Sequence, residues 1–202
     1  MKFKTFLALF IVLLVGCGCV FHAGPENNAE FYQISQLSEL EGVYKNEGNP
    51  SGFLSQKIWP DITKVFPDIK EVKTFETGHE DIEFIEVITR NNSLVVKAIR
   101  NGCSIYEETF ILGRDFKISN GKIVIHKETH LLSRGPGDVL AGPSYEDITI
   151  GIDVGKHGKS RSRSYAAGLI FMIMPVAGSD TIDIRYERVG NKPQNFRACV
   201  SR

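Results

Sequence analysis

Two histidines offer the first spacing that could support chemistry: His126 and His130 flank Glu128. On a helix, a separation of four residues would place both imidazoles on one side, as zinc sites require. This segment instead follows an Asn-Gly pair and has the pattern of a strand, where four residues separate side chains by about 13 Å. One ion cannot bind both rings, so we predict strand histidines, no metal site and no cofactor.

Two short motifs match catalytic signatures only in part. Gly158-Lys159-Ser160 resembles the end of a phosphate-binding loop, but Asp153 stands where the first glycine is needed and no helix pattern follows. Ser119-Asn120-Gly121-Lys122 has the Ser-x-x-Lys spacing of penicillin-interacting enzymes, although it predicts a hairpin turn where those enzymes begin a helix. We therefore predict no catalytic residue. A hydrolase assembled from scattered residues stays open as an alternative.

A run of basic residues between positions 156 and 163 contains no acid. Its members are Lys156, Lys159, Arg161 and Arg163. Because the run joins two predicted strands, we predict a long, mobile, cationic hairpin tip. Such a tip would contact anionic lipid, lipopolysaccharide phosphates or an acidic envelope protein, each base contributing about 1 kcal/mol near an anionic surface. The alternative is a solvated loop that keeps a sheet edge soluble.

The elements that position these residues are mostly strands. Alternating apolar residues and turn signals predict strands at 82–90, 93–100, 103–112, 115–119, 122–132, 148–154, 166–176, 182–187 and 196–200. The 166–176 segment is apolar on both faces, which predicts either the most enclosed strand or one whose second face lines a cavity. Residues 134–144 contain Gly-Pro pairs and predict a loop.

The N-terminal part of the chain predicts one or two short helices and a first strand. Residues 31–40 carry apolar side chains at a spacing of three, and Ser51 could cap a second helix that ends before Pro60. Gly42-Val43-Tyr44 then resembles the Gly-x-Trp that opens the first strand of lipocalins. We predict a mainly β fold in which an antiparallel meander of about eight strands closes into a curled sheet or a lipocalin-like barrel. A β-sandwich is the alternative.

The first residues of the chain predict export. Lys2 and Lys4 precede an apolar run at 6–15, which is the charged and apolar pattern of a signal peptide. That run is too short to cross a bilayer, which needs about 20 apolar residues. Leu14-Val15-Gly16-Cys17 resembles the lipobox of bacterial lipoproteins. The alternative is an ordinary secretory signal.

The lipobox resemblance implies cleavage before Cys17, a diacylglycerol on its thiol and an acyl chain such as palmitate on its amine. In such lipoproteins an aspartate after the lipidated cysteine implies the inner membrane. This chain has Gly18 there, which implies the outer membrane of a bacterial envelope. We therefore predict a signal peptide at 1–16, a lipidated flexible tether at 17–29 and a single β-rich domain at 30–202. The chain has 24 basic and 24 acidic residues, and this balance argues against nucleic acid as a partner.

Three cysteines remain after lipidation, and an oxidising compartment favours a disulfide. Any one of three bridges is possible among Cys19, Cys103 and Cys199. We favour Cys103 with Cys199, because both flank predicted strands while Cys19 lies in the predicted tether. The alternative is a pair of buried, reduced cysteines.

Two main function classes remain. The first is a non-catalytic, lipid-anchored binding module for a small apolar or envelope-derived ligand. The second is a structural or assembly accessory that binds another envelope protein through an edge strand or the basic hairpin. An unrecognised hydrolase is a third alternative, and the sequence leaves the oligomeric state open.

Overall fold

The computed structural model describes residues 19–69, 76–131, 140–141, 143–170 and 174–199. Cys17 and the predicted signal peptide lie outside the described residues. The chain divides into two compact units. Unit 1 comprises Met1–Ala23, His126–Asp147 and Ser162–Ile182, and unit 2 comprises Gly24–Ile125, Ile148–Arg161 and Asp183–Arg202.

The described elements are twelve strands, one α-helix and two 3-10 helices. In chain order they are β1 (Cys19–Ala23), a 3-10 helix (Leu37–Leu40), β2 (Gly42–Lys45), α1 (Leu54–Ile58), a 3-10 helix (Ile62–Lys64), β3 (Phe84–Arg90), β4 (Ser93–Arg100), β5 (Cys103–Ile111), β6 (Lys117–Ser119), β7 (Lys122–Leu131), β8 (Leu140–Ala141), β9 (Pro143–Ile152), β10 (Gly158–Ile170), β11 (Met174–Tyr186) and β12 (Arg188–Gly190).

These strands form two sheets. One has the order β12-β2-β3-β4-β5, and the other has the order β1-β11-β10-β9-β7-β6 with β8 paired to β10. The mainly β prediction is confirmed, and the arrangement is that of a curled sheet or a sandwich. In the part of the chain that the structure describes, neither sheet closes into the lipocalin-like barrel.

Tight turns explain why strands β3 to β5 and the hairpin of β6 and β7 were predictable. The turn residues Asn91, Asn101 and Asn120 have φ angles of 54°, 52° and 51°. Asparagine tolerates this left-handed region, which two-residue hairpin turns require. A Cβ on Gly121 would lie 2.6 Å from the Cα of Gln33, so only glycine fits there. The predicted Asn120-Gly121 hairpin is confirmed.

The predicted helix at 31–40 is mostly wrong, because only Leu37–Leu40 is helical and as a 3-10 turn. The carboxylate of Glu39 explains the late start. Its Oε1 accepts hydrogen bonds from the backbone N–H groups of Ser35 at 2.7 Å and Gln36 at 3.2 Å. These bonds cap a turn that begins after Gln36 and fix the preceding residues outside it.

The second predicted helix exists as α1, but Ser51 does not cap it. Phe53 occupies the N-cap position and makes no side-chain capping bond. Ser51 lies instead in a turn in which the Gly48 N–H donates to the Gly52 carbonyl at 2.9 Å. The apolar side chain of Leu54 is what fixes the helix, since it is buried in the core of unit 2.

The predicted flexible tether at 17–29 is wrong for Cys19–Ala23, which form β1. This strand pairs in parallel with β11, from Cys19 opposite Gly178 to Ala23 opposite Ile182. The physical reason is that an edge strand has unpaired backbone groups, and β1 satisfies those of β11. The Gly, Pro, Asn and Glu residues that predicted a tether all follow Ala23.

The predicted single strand at 166–176 is also wrong. Its first part ends β10 at Ile170 and its last part begins β11 at Met174, while residues 171–173 lie outside the described residues. The predicted loop at 134–144 gives way to strand at its end, where β8 and the first two residues of β9 lie. The Gly142-Pro143 pair misled the loop boundary, because proline is tolerated at strand starts and edges.

Unit 2 has an apolar core centred on Trp59, which is buried. The indole packs edge to face on Tyr106, with ring centroids 5.5 Å apart. Its Nε1–H donates to Glu108 Oε2 at 2.7 Å. The indole therefore has both the apolar surroundings and the polar partner that a buried tryptophan needs.

The C-terminal segment is held on β5 by a disulfide. Cys103 and Cys199 are bonded, with their Cα atoms 5.2 Å apart, so the predicted pairing is confirmed. The predicted strand at 196–200 is reduced to one bridge between Ser104 and Ala198, and Val200 lies outside the described residues.

Candidate functional site

Unit 2 contains an apolar cavity between strands of the two sheets. The cavity has a volume of about 70 Å³. A single water needs only about 10–15 Å³ on the same measure. The cavity therefore has room for a small organic molecule.

Strand alternation creates the lining. On β4, Leu94 and Val96 face the cavity, whereas Lys97 contacts Glu86 and Phe196 on the other side. Strands β2, β3 and β5 add Tyr44, Val87 and Phe110 to the same wall. The opposing wall and the ends are lined by Ile123, Ile125, Ile150, Gly151, Gly158, Lys159, Leu40, Leu54, Ile58 and Phe116.

The polar groups that border the cavity already have partners. The Tyr44 hydroxyl donates to the Leu40 carbonyl at 2.8 Å, and burial raises the pKa of Tyr44 to about 12. The Lys159 ammonium donates to Asn28 Oδ1 and to the Ala29 carbonyl, both at 2.6 Å. The parts of Tyr44 and Lys159 that face the cavity are therefore mainly carbon atoms. The cavity is suited to an uncharged, apolar ligand.

Asp183 is the acidic residue that neutralises Lys159, the basic residue in the cavity lining. Its carboxylate is fully buried and lies 3.2 Å from Lys159 Nζ, while Arg161 donates to both of its oxygens at 2.6 and 2.7 Å. Asn28 donates to it at 2.8 Å. Burial alone would raise the pKa of Asp183, but the Arg161 and Asn28 hydrogen bonds and the two positive charges hold it well below its usual range.

The predicted basic hairpin tip is therefore wrong for two of its four residues. Lys159 is 1% exposed and lies in β10 with Arg161, where both pair with Asp183. Lys156 is partly exposed, 3.5 Å from the Glu39 carboxylate, and Arg163 is exposed. The sequence run has no acid of its own, but the fold supplies acids from distant segments.

A second polar cluster, formed by Asn46, Ser55 and His79, is one that the sequence did not suggest. Ser55 Oγ lies 2.9 Å from His79 Nδ1, and the Asn46 amide donates to the His79 carbonyl at 2.7 Å. All three residues are buried. A substrate cannot reach a serine in this position, so we assign the cluster a structural role that ties α1 to residues 79–82.

This cluster predicts a pH dependence. Burial lowers the pKa of His79 below 6.5, against a smaller opposing effect of Glu80. The unfolded chain then takes up a proton at about pH 6.5 that the folded chain does not yet bind, so the free energy of unfolding should fall as the pH drops below that value. Chemical denaturation at pH 7.5, 6.5 and 5.5 measures this. His79→Asn should flatten the profile, whereas His22→Asn, at an exposed position, should not; an unchanged profile in His79→Asn would contradict the assignment.

The Ser-x-x-Lys motif and the two histidines lie on strands β6 and β7. Ser119 and Lys122 are paired residues on β6 and β7, as the predicted hairpin requires. His126 and His130 lie on β7, so their predicted strand conformation is confirmed, while their side chains are not described. Within the described ranges, no group of three or more His, Cys, Asp or Glu side chains is arranged to hold a metal ion.

No protein-family model, no curated protein and no solved structure matches this chain. None of the described helices is long and apolar enough to cross a membrane. The evidence for a function therefore comes from the geometry of the cavity and from the sequence.

Proposed function

We propose that this protein is a non-catalytic binding module that holds a small, uncharged, apolar molecule in the cavity of unit 2. The observation that carries this proposal is the lining, in which side chains from seven strands and α1 present carbon while the bordering Tyr44 and Lys159 have internal partners. Apolar cavities with few polar groups are the usual form of small-molecule sites.

The size and charge of the cavity narrow the ligand class. The space is that of a short alkyl chain or one or two rings. A carboxylate is disfavoured, because Lys159 already directs its ammonium to Asn28, Ala29 and Asp183, and an incoming anion would have to displace one of them. The ligand class is therefore a neutral hydrocarbon-like molecule or the apolar end of an envelope component.

The cellular setting of the proposal comes from the sequence. The lipobox-like Leu14-Val15-Gly16-Cys17 supports a lipid anchor on Cys17, and Gly18 supports the outer membrane of a bacterial envelope. In this setting the module would bind an envelope-derived ligand at the membrane surface.

The proposal is tested by filling the cavity. Val87→Phe adds bulk at the lining, whereas the control Val189→Phe adds the same bulk at a position that is 44% exposed. Titration with the neutral two-ring fluorophore 1-aminonaphthalene should show an affinity at least about tenfold weaker for Val87→Phe and unchanged for Val189→Phe, since overpacking a filled site costs about 1–3 kcal/mol.

Native mass spectrometry of the purified protein is the second measurement. A small molecule retained by the wild type and lost from Val87→Phe would support the binding module. A wild-type protein that carries no ligand and does not bind the fluorophore would contradict it, and a retained protein partner would favour the accessory role instead.

A further inference from the structure

One end of unit 1 is strongly apolar. From Ala166 to Val176 the sequence has no charged and no hydroxyl-bearing residue. This stretch includes the last residues of β10 and the first of β11, which are neighbours in the sheet. Strand β8 joins β10 at the same place, with Leu140 opposite Ile170. We name residues 166–170 and 174–176 the apolar hairpin end.

Polarity changes in a regular order along β10 toward this end. Arg163 is exposed, Tyr165 is 48% exposed with its ring 6.2 Å from that of Tyr145, and the apolar residues begin at Ala166. Tyrosine is enriched at the level of lipid head groups, and basic residues are attracted to anionic membrane surfaces. A basic, then aromatic, then apolar order is therefore what a segment entering a bilayer requires.

The length of the apolar segment fits one leaflet. At about 3.3 Å per residue, Ile170 lies about 17 Å along the strand from Tyr165. Half of a hydrocarbon core about 30 Å thick is about 15 Å. The hairpin end is long enough to enter one leaflet and too short to cross both.

Cys19, two residues after the proposed anchor, lies near the same end. Strand β1 runs parallel to β11 with Cys19 opposite Gly178, four residues from the start of β11 at Met174. Cys17 is two residues from Cys19, so their Cα atoms are at most about 7 Å apart. Val20 and Phe21 beside it are 80% and 58% exposed.

We infer that the apolar hairpin end inserts into the leaflet that holds the acyl chains of Cys17, with Tyr165 at the head groups. This inference rests on the lipid anchor of the proposed function. The lipid bilayer is favoured over a protein partner because the polarity order follows membrane depth and because Cys19, two residues after the proposed anchor, lies near this end. Val20 and Phe21 then lie against the membrane surface.

Depth-dependent fluorescence quenching tests the inference on the full-length protein. The lipidated protein is purified from a bacterial host and placed in phosphatidylcholine–phosphatidylglycerol vesicles with or without brominated acyl chains. Met174→Trp and Leu169→Trp each place a reporter in the apolar hairpin end, and Val189→Trp is the exposed control. The native Trp59 is 1% exposed and gives the same background in all variants.

Brominated chains should lower the added emission of Met174→Trp and Leu169→Trp by about twofold or more, because Leu169 lies about 13 Å along the strand from Tyr165, at the depth of the acyl chains. Val189→Trp should change little. Equal quenching in all three variants, or none in either hairpin variant, would overturn the inference, as would finding the hairpin reporters buried against a second copy or a co-purified protein.

Metabolic labelling with an alkyne fatty acid separates failure of the anchor from failure of the insertion. Label on the wild type that is lost in Cys17→Ser supports the anchor, and the quenching result then decides the insertion alone. If the wild type carries no label, the anchor proposal is wrong. The same quenching measured at high vesicle concentration still decides the insertion, with quenching supporting it and its absence overturning it.

Discussion

Replacing Asp183 with alanine is expected to lower the free energy of unfolding by about 3–5 kcal/mol. Asp183 is the buried carboxylate that both Lys159 and Arg161 contact, and Lys159 is itself buried. Removing the carboxylate leaves two positive charges facing each other without their counter-ion. Urea denaturation followed by circular dichroism measures the loss.

The matched control for this variant is Asp180→Ala. Asp180 lies on the same strand, β11, but is exposed, and exposed substitutions usually change stability by less than about 0.5 kcal/mol. If Asp183→Ala and Asp180→Ala had similar effects, the buried charge cluster would not hold this part of unit 2 together.

The cluster of Asp183, Lys159 and Arg161 also predicts that acid lowers the stability of the protein. The pKa of Asp183 is lowered from its ordinary value of 3.8, so its stabilising contribution is present above about pH 3.8 and is lost as the pH falls below it. In a comparison between pH 5 and pH 2.5, wild-type protein should lose more stability than Asp183→Asn, which has no carboxyl group to protonate.

Removing the disulfide is expected to have a comparable effect. Cys103 and Cys199 are separated by 96 residues, and closing a loop of this size stabilises the folded state by about 4.7 kcal/mol in the chain-entropy model. The double variant Cys103→Ser/Cys199→Ser should therefore unfold at clearly lower urea concentration. A reductant should shift the wild type and leave the double variant unchanged, and a shift in both or in neither would contradict the prediction.

The disulfide also has a local consequence that hydrogen exchange can detect. The C-terminal segment lies over β3, where the buried Glu86 carboxylate accepts the N–H groups of Gln194 and Asn195 at 2.6 and 2.7 Å. Lys97 donates to the Phe196 carbonyl at 3.3 Å. In the double variant the amides of Gln194 and Asn195 should lose protection first, while amides in β4 should keep theirs.

Much of unit 2 could be predicted from the sequence because its signals are local. Alternation and Asn turns located β3, β4 and β5 to within about two residues, since a hairpin is determined by neighbours in the chain and by the left-handed tolerance of asparagine. The Cys103 and Cys199 pairing also followed from their positions beside predicted strands. The mainly β class was therefore a property of the sequence pattern.

Only the tertiary structure determines which residues of the basic run are buried and that Cys19–Ala23 form a strand. Lys159 donates to Asn28, 131 positions away, and its charge is neutralised by Asp183 on the next strand, so no local window shows that the lysine is buried. Strand β1 exists because β11 offers a free edge, and a pairing with a segment about 160 residues away leaves no local signal in the sequence. The cavity likewise depends on which faces of seven strands meet, and the Ser55 and His79 contact joins residues 24 positions apart.

The sequence by itself determined which segments extend and where they turn, because those choices depend on neighbouring residues. Which charges are neutralised and which faces enclose a space depend on partners that only the folded chain brings together.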